Sequence, residues 1–161
     1  MGSDHDSILN TPFWNRGKVI AKTFSATVLG IDAYLIEVEV DVSVGMSVFN
    51  IVGLPDNTIK ESRDRILSAV NNSGYSFPVR RVVVNLAPAS LRKIGSGFDL
   101  PIALALLGTM GLFPPENLSR AMVVGELSLD GEVRPVRGIL PVAVAAREHE
   151  LEQLILPKAN E

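Results

Sequence analysis

The residue types that could carry chemistry concentrate around one stretch. "LRKIGSGFDLPIALALL", residues 91–107, runs Arg92-Lys93 into Gly95-Ser96-Gly97, then into an acid, a proline and an apolar run. A serine between glycines is a nucleophile where a neighbouring base takes its proton. Glycines ahead of a helix can instead let backbone N–H groups approach a phosphate. The third reading is a turn and a helix start. The phosphate reading lacks the pattern G-x-x-x-x-G-K-[ST] anywhere in the chain. Asp99 also brings its own carboxylate to the helix start, where it caps N–H groups and repels phosphate. The nucleophile reading needs a base. Lys93 stands three residues before Ser96, in a charged loop expected to be wet, where nothing lowers its pKa. His149 falls late in a helix. The expectation is a glycine-bearing turn capped by Asp99.

Basic residues are denser here than elsewhere. Arg80, Arg81, Arg92 and Lys93 fall within fourteen residues that hold no acid, and Arg134 and Arg137 flank Pro135. Such a strip is either solvated loop charge or a candidate contact for a phosphate backbone or an acidic partner. No aromatic residues interleave with it, so a base-stacking platform is not supported. The net charge of −3 gives no general attraction to nucleic acid. The chain has no cysteine, and its two histidines, His5 and His149, lie near opposite ends. Disulfides and thiolate metal sites are excluded, and no zinc site is expected. The absence of cysteine is in keeping with a cytoplasmic location.

The elements that must position these residues can be read from periodicity. The 161 residues suffice for one domain with a core, and 47% apolar with 20% charged residues is a globular composition. Residues 1–19 are polar and aperiodic and are read as a leader or extension, leaving 20–161 as the domain. No run reaches the roughly 20 apolar residues of a membrane span. From Lys22 the pattern has period two. Tyr34, Ile36, Val38 and Val40 alternate with Leu35, Glu37, Glu39 and Asp41, which predicts a half-buried hairpin with acids on the wet face. "MSVFNIVG" is a third strand. Asp56 caps a helix with Ile59, Ile66, Leu67 and Val70 inward, and Lys60, Glu61, Arg63, Asp64 and Arg65 on a solvated face. "RRVVVNLAP" is a strand buried on both sides. Residues 99–110 form a buried helix. "AMVVGELSLDGEVRP" is a hairpin turning at Asp130-Gly131. "GILPVAVAAREHE" is a helix and "QLILPK" a last strand, after which the chain is expected to continue in a longer protein. The order β-β-β-α-β-α-β-β-α-β predicts an α/β sandwich of three helices against one mixed sheet.

"FNIVGLPDNTIKESRDRI", "NLAPASLRKIGSGFDLPIALALL" and "VVGELSLDGEVRPVRGILP" together closely resemble the N-terminal domain of the ComM/YifB family of magnesium-chelatase-like AAA+ ATPases, over about residues 21–161. The resemblance implies the Lon-protease-like fold, shared with a RadA domain and a domain of a ribosomal small-subunit protein. Lon-type peptidases carry a serine in a Gly-Pro-Ser-Ala-Gly loop and a lysine after a Gly-Glu…Val-x-Pro hairpin. That hairpin is present as Gly125-Glu126 with Val133-Arg134-Pro135. Aligned on it, the serine position falls on Gly97 and the lysine position on Leu140. The resemblance therefore implies the fold without peptidase catalysis. It implies a parent that is a hexameric DNA motor, a branch-migration helicase of natural transformation, with ATP and magnesium bound in a separate AAA+ domain and no cofactor here. The implied partners are that domain, neighbouring subunits, and single-stranded or branched DNA, with no membrane. Two alternatives stand beside it: a residual serine hydrolase using Ser96 with Lys93, and a pure oligomerisation module.

Overall fold

A computed structural model of the chain describes residues 19–161. His5 and the expected leader up to residue 18 lie outside the described residues. β1 (Val19–Leu29) and β2 (Asp32–Ser43) form the expected antiparallel hairpin, with Thr23 opposite Val38. Ile36, Val38 and Val40 are buried, while Glu37 and Glu39 stand on the other face, each within reach of Lys22 at 3.4 and 3.5 Å. β3 (Val48–Val52) lies beyond β4 (Arg81–Ala87), and the sheet continues through β5 (Ala121–Val123) to β8 (Gln153–Ile155), in the order β3-β4-β2-β1-β5-β8. Only β2 runs against the other five strands.

Helices cover both faces. α1 (Asn57–Lys60), α2 (Ser62–Asn72) and α3 (Asp99–Thr109) serve one face, packing Ile66, Val70, Ile102 and Leu106 onto Val38, Val82 and Val84. α4 (Ile139–Glu148) lies on the other, with Val142 and Ala145 against Ala26, Leu35 and Met122. Each fully buried aliphatic side chain contributes about 1.5–3 kcal/mol. α3 is apolar around nearly its whole circumference, as its sequence predicts, because it sits between the sheet and α2.

Four expectations are corrected. The hairpin is divided: Ala121–Val123 joins the main sheet, and only β6 (Glu126–Leu127) pairs with β7 (Val133–Arg134), as a separate ribbon. The break falls at Gly125, where a Cβ would stand 2.9 Å from the Leu100 side chain. β4 buries Val82, Val84 and Leu86 fully but leaves Val83 and Asn85 half-buried, since no helix covers its second face. The helix after Asp56 is interrupted at Glu61. Arg65 Nη2 donates to the Thr58 carbonyl at 2.8 Å, the acceptor a continuous helix offers to the N–H four residues on.

Arg65 is the fourth correction. It leaves the solvated face and pairs with Asp99, which is fully buried, through Nε–Oδ2 at 2.6 Å and Nη2–Oδ1 at 3.0 Å. The bonded carboxylate raises the Arg65 pKa above its ordinary value. Asp99 is therefore not an N-cap. It occupies the first helical position and spends its carboxylate on Arg65 and on the Leu127 N–H at 3.1 Å, joining α2, α3 and β6. Asp99→Ala leaves a guanidinium and an N–H without partners, and we expect a loss of about 3–5 kcal/mol in urea unfolding. Arg63→Ala, which removes an exposed pair with Asp64, is expected to cost less than about 1 kcal/mol in the same measurement.

Candidate functional site

The loop from Pro88 to Phe98 leaves β4 and feeds α3. Its anchor is Lys93. This side chain is 0% exposed, and its amine donates to the Gly53 carbonyl at 2.6 Å and to the Pro88 carbonyl. Burial lowers its pKa. The expected wet lysine is thus a core lysine, enclosed by the fold with two carbonyls to receive its amine. Its backbone is held as well: Lys93 N–H donates to Leu54 O at 3.1 Å, and Asp56 N–H donates to Lys93 O at 3.0 Å. Asp56 caps α1 as predicted, through Oδ1 to the Ile59 N–H at 2.9 Å, and uses Oδ2 to hold the Gly95 N–H at 3.0 Å. Thr27 Oγ1 accepts from the Ile94 N–H at 3.2 Å.

Gly95 has φ of 96°, a conformation that favours glycine, and turns the chain into a short 3-10 turn over Ser96–Phe98. The Ser96 hydroxyl donates to Glu126 Oε2. Glu126 Oε1 lies 3.9 Å from Arg134 Nη1 on the adjoining strand. Gly97 O accepts from the Gly125 N–H at 3.0 Å, which fixes the turn against the start of the ribbon. These groups border a cleft of about 360 Å³ with an apolar floor including Val28, Val124 and Val142, and with Arg137 in its wall. The cleft opens beyond the carboxyl ends of the parallel strands β1 and β5, the usual location of ligand sites in α/β sheets.

No amine or imidazole faces the serine. Its hydroxyl donates a hydrogen bond to a carboxylate that already has a cation nearby, and the Lys93 amine is engaged by carbonyls on the interior side. Gly97 lines the cleft, and a Cβ there would meet Val136 at 3.6 Å, an ordinary contact. Room for a nucleophile exists, but residue 97 has no side chain. Leu140 is 77% exposed and faces a different hollow, beside Ile31 and Val144. His149 is exposed at the end of α4.

The basic candidates do not form one strip. Arg80 and Arg81 stand at the start of β4, and Arg92 follows its far end. Lys93 is removed from the set by burial. Arg134 is exposed on β7 and Arg137 is exposed in the cleft wall, so Arg92, Arg134 and Arg137 belong to the loop end of the sheet. The sequence pattern had not singled out the partners of this loop, Thr27 and the Asp56 second oxygen. The only local signal was the cap at Asp56. Among the described residues no helix is long and apolar enough to cross a membrane.

A family model described as subunit ChlI of Mg-chelatase matches residues 38–160. The chain is 40% identical over 141 residues to competence protein ComM of Haemophilus influenzae, covering 88% of this chain and 28% of that protein. It is 44% identical over 133 residues to the uncharacterized protein YifB of Escherichia coli, covering 83% of this chain and 26% of that protein. The chain thus spans about a quarter of the length of these relatives. It is also 35% identical over 78 residues to the peroxisomal Lon protease homolog 2 of Caenorhabditis elegans, covering 48% of this chain and 10% of that protein.

We expect an active-site-directed phosphonate to leave the mass of the protein unchanged, and Ser96→Ala to leave stability within about 1 kcal/mol. Lys93→Met is expected to cost about 2–4 kcal/mol in urea unfolding, because two buried carbonyls lose their donor. Stoichiometric labelling of Ser96 would contradict this reading.

Proposed function

Because the chain belongs to the family of Mg-chelatase subunit ChlI, and stands with the ComM and YifB proteins within it, we propose that residues 20–161 are a non-catalytic domain of an AAA+ DNA motor. In this reading the parent hydrolyses ATP, with its magnesium, in a part of the protein beyond this chain. This domain supplies an assembly or DNA-guiding surface to a cytoplasmic hexamer acting on single-stranded or branched DNA. One observation carries the non-catalytic reading: the serine and the lysine nearest the glycine turn are both committed elsewhere, Ser96 to Glu126 and Lys93 to backbone carbonyls.

The DNA-guiding part draws on Arg92, Arg134 and Arg137, exposed near the loop end of the sheet. Exposed guanidinium groups suit phosphate contacts, which position a strand without reading its sequence. The division of the basic residues between two ends of β4 favours a second reading, in which the domain serves assembly alone. Fluorescence anisotropy with single-stranded and forked DNA separates the two. If these residues contact the backbone, Arg92→Ala and Arg137→Ala each weaken binding and lower the salt slope by about one counterion. Absence of any salt-sensitive binding removes the DNA contact and leaves the assembly reading.

A further inference from the structure

The cleft beside the glycine turn holds two opposite charges that do not meet. Glu126 and Arg137 both line it, yet no ion pair joins them. Each is anchored by its own segment. The Ser96 hydroxyl donates to Glu126 Oε2 and keeps that carboxylate at the cleft. Arg137 follows Val136, whose backbone is pinned from both sides: its N–H donates to Asn160 Oδ1 at 2.9 Å, and Asn160 Nδ2 donates to its carbonyl at 3.0 Å. Among the described residues, Glu126 Oε1 accepts no hydrogen bond, and its ion-pair neighbour is Arg134 Nη1 at 3.9 Å. The Arg137 guanidinium is exposed and has neither hydrogen bond nor ion pair among those residues.

Between these groups the floor is aliphatic. Ala26, Val28, Val124 and Val142 supply it, with no polar side chain among them. The volume of about 360 Å³ lies at the small end of the range for small-molecule sites, and a few placed polar groups over an apolar floor is their usual make-up. A ligand with a single charge leaves one wall unmatched. A phosphate satisfies Arg137 but meets repulsion from Glu126. An α-amino acid carries a carboxylate and an ammonium on one carbon, and its side chain leaves from the same carbon.

We propose that this cleft is a binding site for a free α-amino acid with a branched aliphatic side chain. Arg137 donates to the ligand carboxylate, and Glu126 Oε1 accepts from the ligand ammonium. Both are charge-assisted hydrogen bonds, about twice as strong as neutral ones. The aliphatic side chain lies on the valine floor and is removed from water there. The groups are held in place before the ligand arrives, so little ordering opposes binding. This assignment goes beyond the motor reading and does not rest on it.

The test is an NMR titration of the chain, without nucleic acid, against three probes: L-leucine, 4-methylpentanoate, which lacks the ammonium, and L-leucinamide, which lacks the carboxylate. Leucine is expected to bind with a Kd of about 1 mM or tighter, a value in reach of a ligand of this size. Its amide shifts should centre on Ser96–Phe98 and on residues 136–138. Each one-charge probe should bind at least about tenfold more weakly. Arg137→Gln should weaken leucine by about tenfold and leave leucinamide unchanged, and Glu126→Gln should weaken leucine and leave 4-methylpentanoate unchanged. Gly97 is not in the left-handed region, and a Cβ there meets Val136 at an ordinary 3.6 Å. Gly97→Val, folded by circular dichroism, should therefore fill the cleft and abolish binding. Arg63→Ala, on α2 outside the cleft, should bind leucine as the unmodified chain does. No leucine shifts up to about 10 mM, ten times the expected Kd, would overturn the proposal. Shifts away from the cleft, equal binding of the three probes, or binding indifferent to Arg137→Gln and Gly97→Val would overturn it as well.

Discussion

The loop end of this domain depends on one buried amine. An ammonium group without water is tolerated only where acceptors surround it, because transferring the charge inward costs several kcal/mol. Lys93 meets that constraint with the carbonyls of Gly53 and Pro88, one at the exit of β3 and one after the exit of β4. The two exits are thereby drawn to a single point. Gly53 makes the approach feasible, since a Cβ there would lie 2.0 Å from the Leu86 carbonyl oxygen. The Leu54–Lys93 and Lys93–Asp56 backbone bonds extend the same clamp.

From this clamp the remaining geometry follows in chain order. Asp56 fixes Gly95, the turn presents Ser96 to Glu126, and Gly97 binds Gly125. Asp99 then enters α3 fully buried and takes Arg65 and the Leu127 N–H. Two buried polar side chains, Lys93 and Asp99, thus stand six residues apart, each tying segments together. A catalytic lysine would need its amine free at the cleft and desolvated without donating to carbonyls. Lys93 is desolvated, but its donors point into the fold.

Local patterns in the sequence were sufficient for the hairpin, the Asp56 cap, the apolar helix and the final β-α-β passage, because period and capping are properties of adjacent residues. The divided hairpin was not legible. Whether Val123 and Glu126 share a sheet depends on which distant strand claims β5, and β1 and β8 claim it. In sequence Lys93 reads as loop charge because it follows Arg92, and the two look alike. Only the fold shows that Arg92 is exposed and Lys93 is enclosed. Arg65 was read as surface charge for the same reason. Its partner lies 34 residues away, and no periodicity connects them. The degenerate positions Gly97 and Leu140 came from family resemblance, and the structure adds that they face different hollows.

The central claim is that the lysine beside the glycine turn is a structural side chain enclosed by the fold. Limited acylation of the native protein, read lysine by lysine by mass spectrometry, tests it most directly. Lys22, Lys60 and Lys158 are exposed and serve as internal references. The account predicts that these three react first and that Lys93 reacts only when the protein unfolds in urea. Acylation of Lys93 in the folded protein at the rate of Lys60 would contradict it.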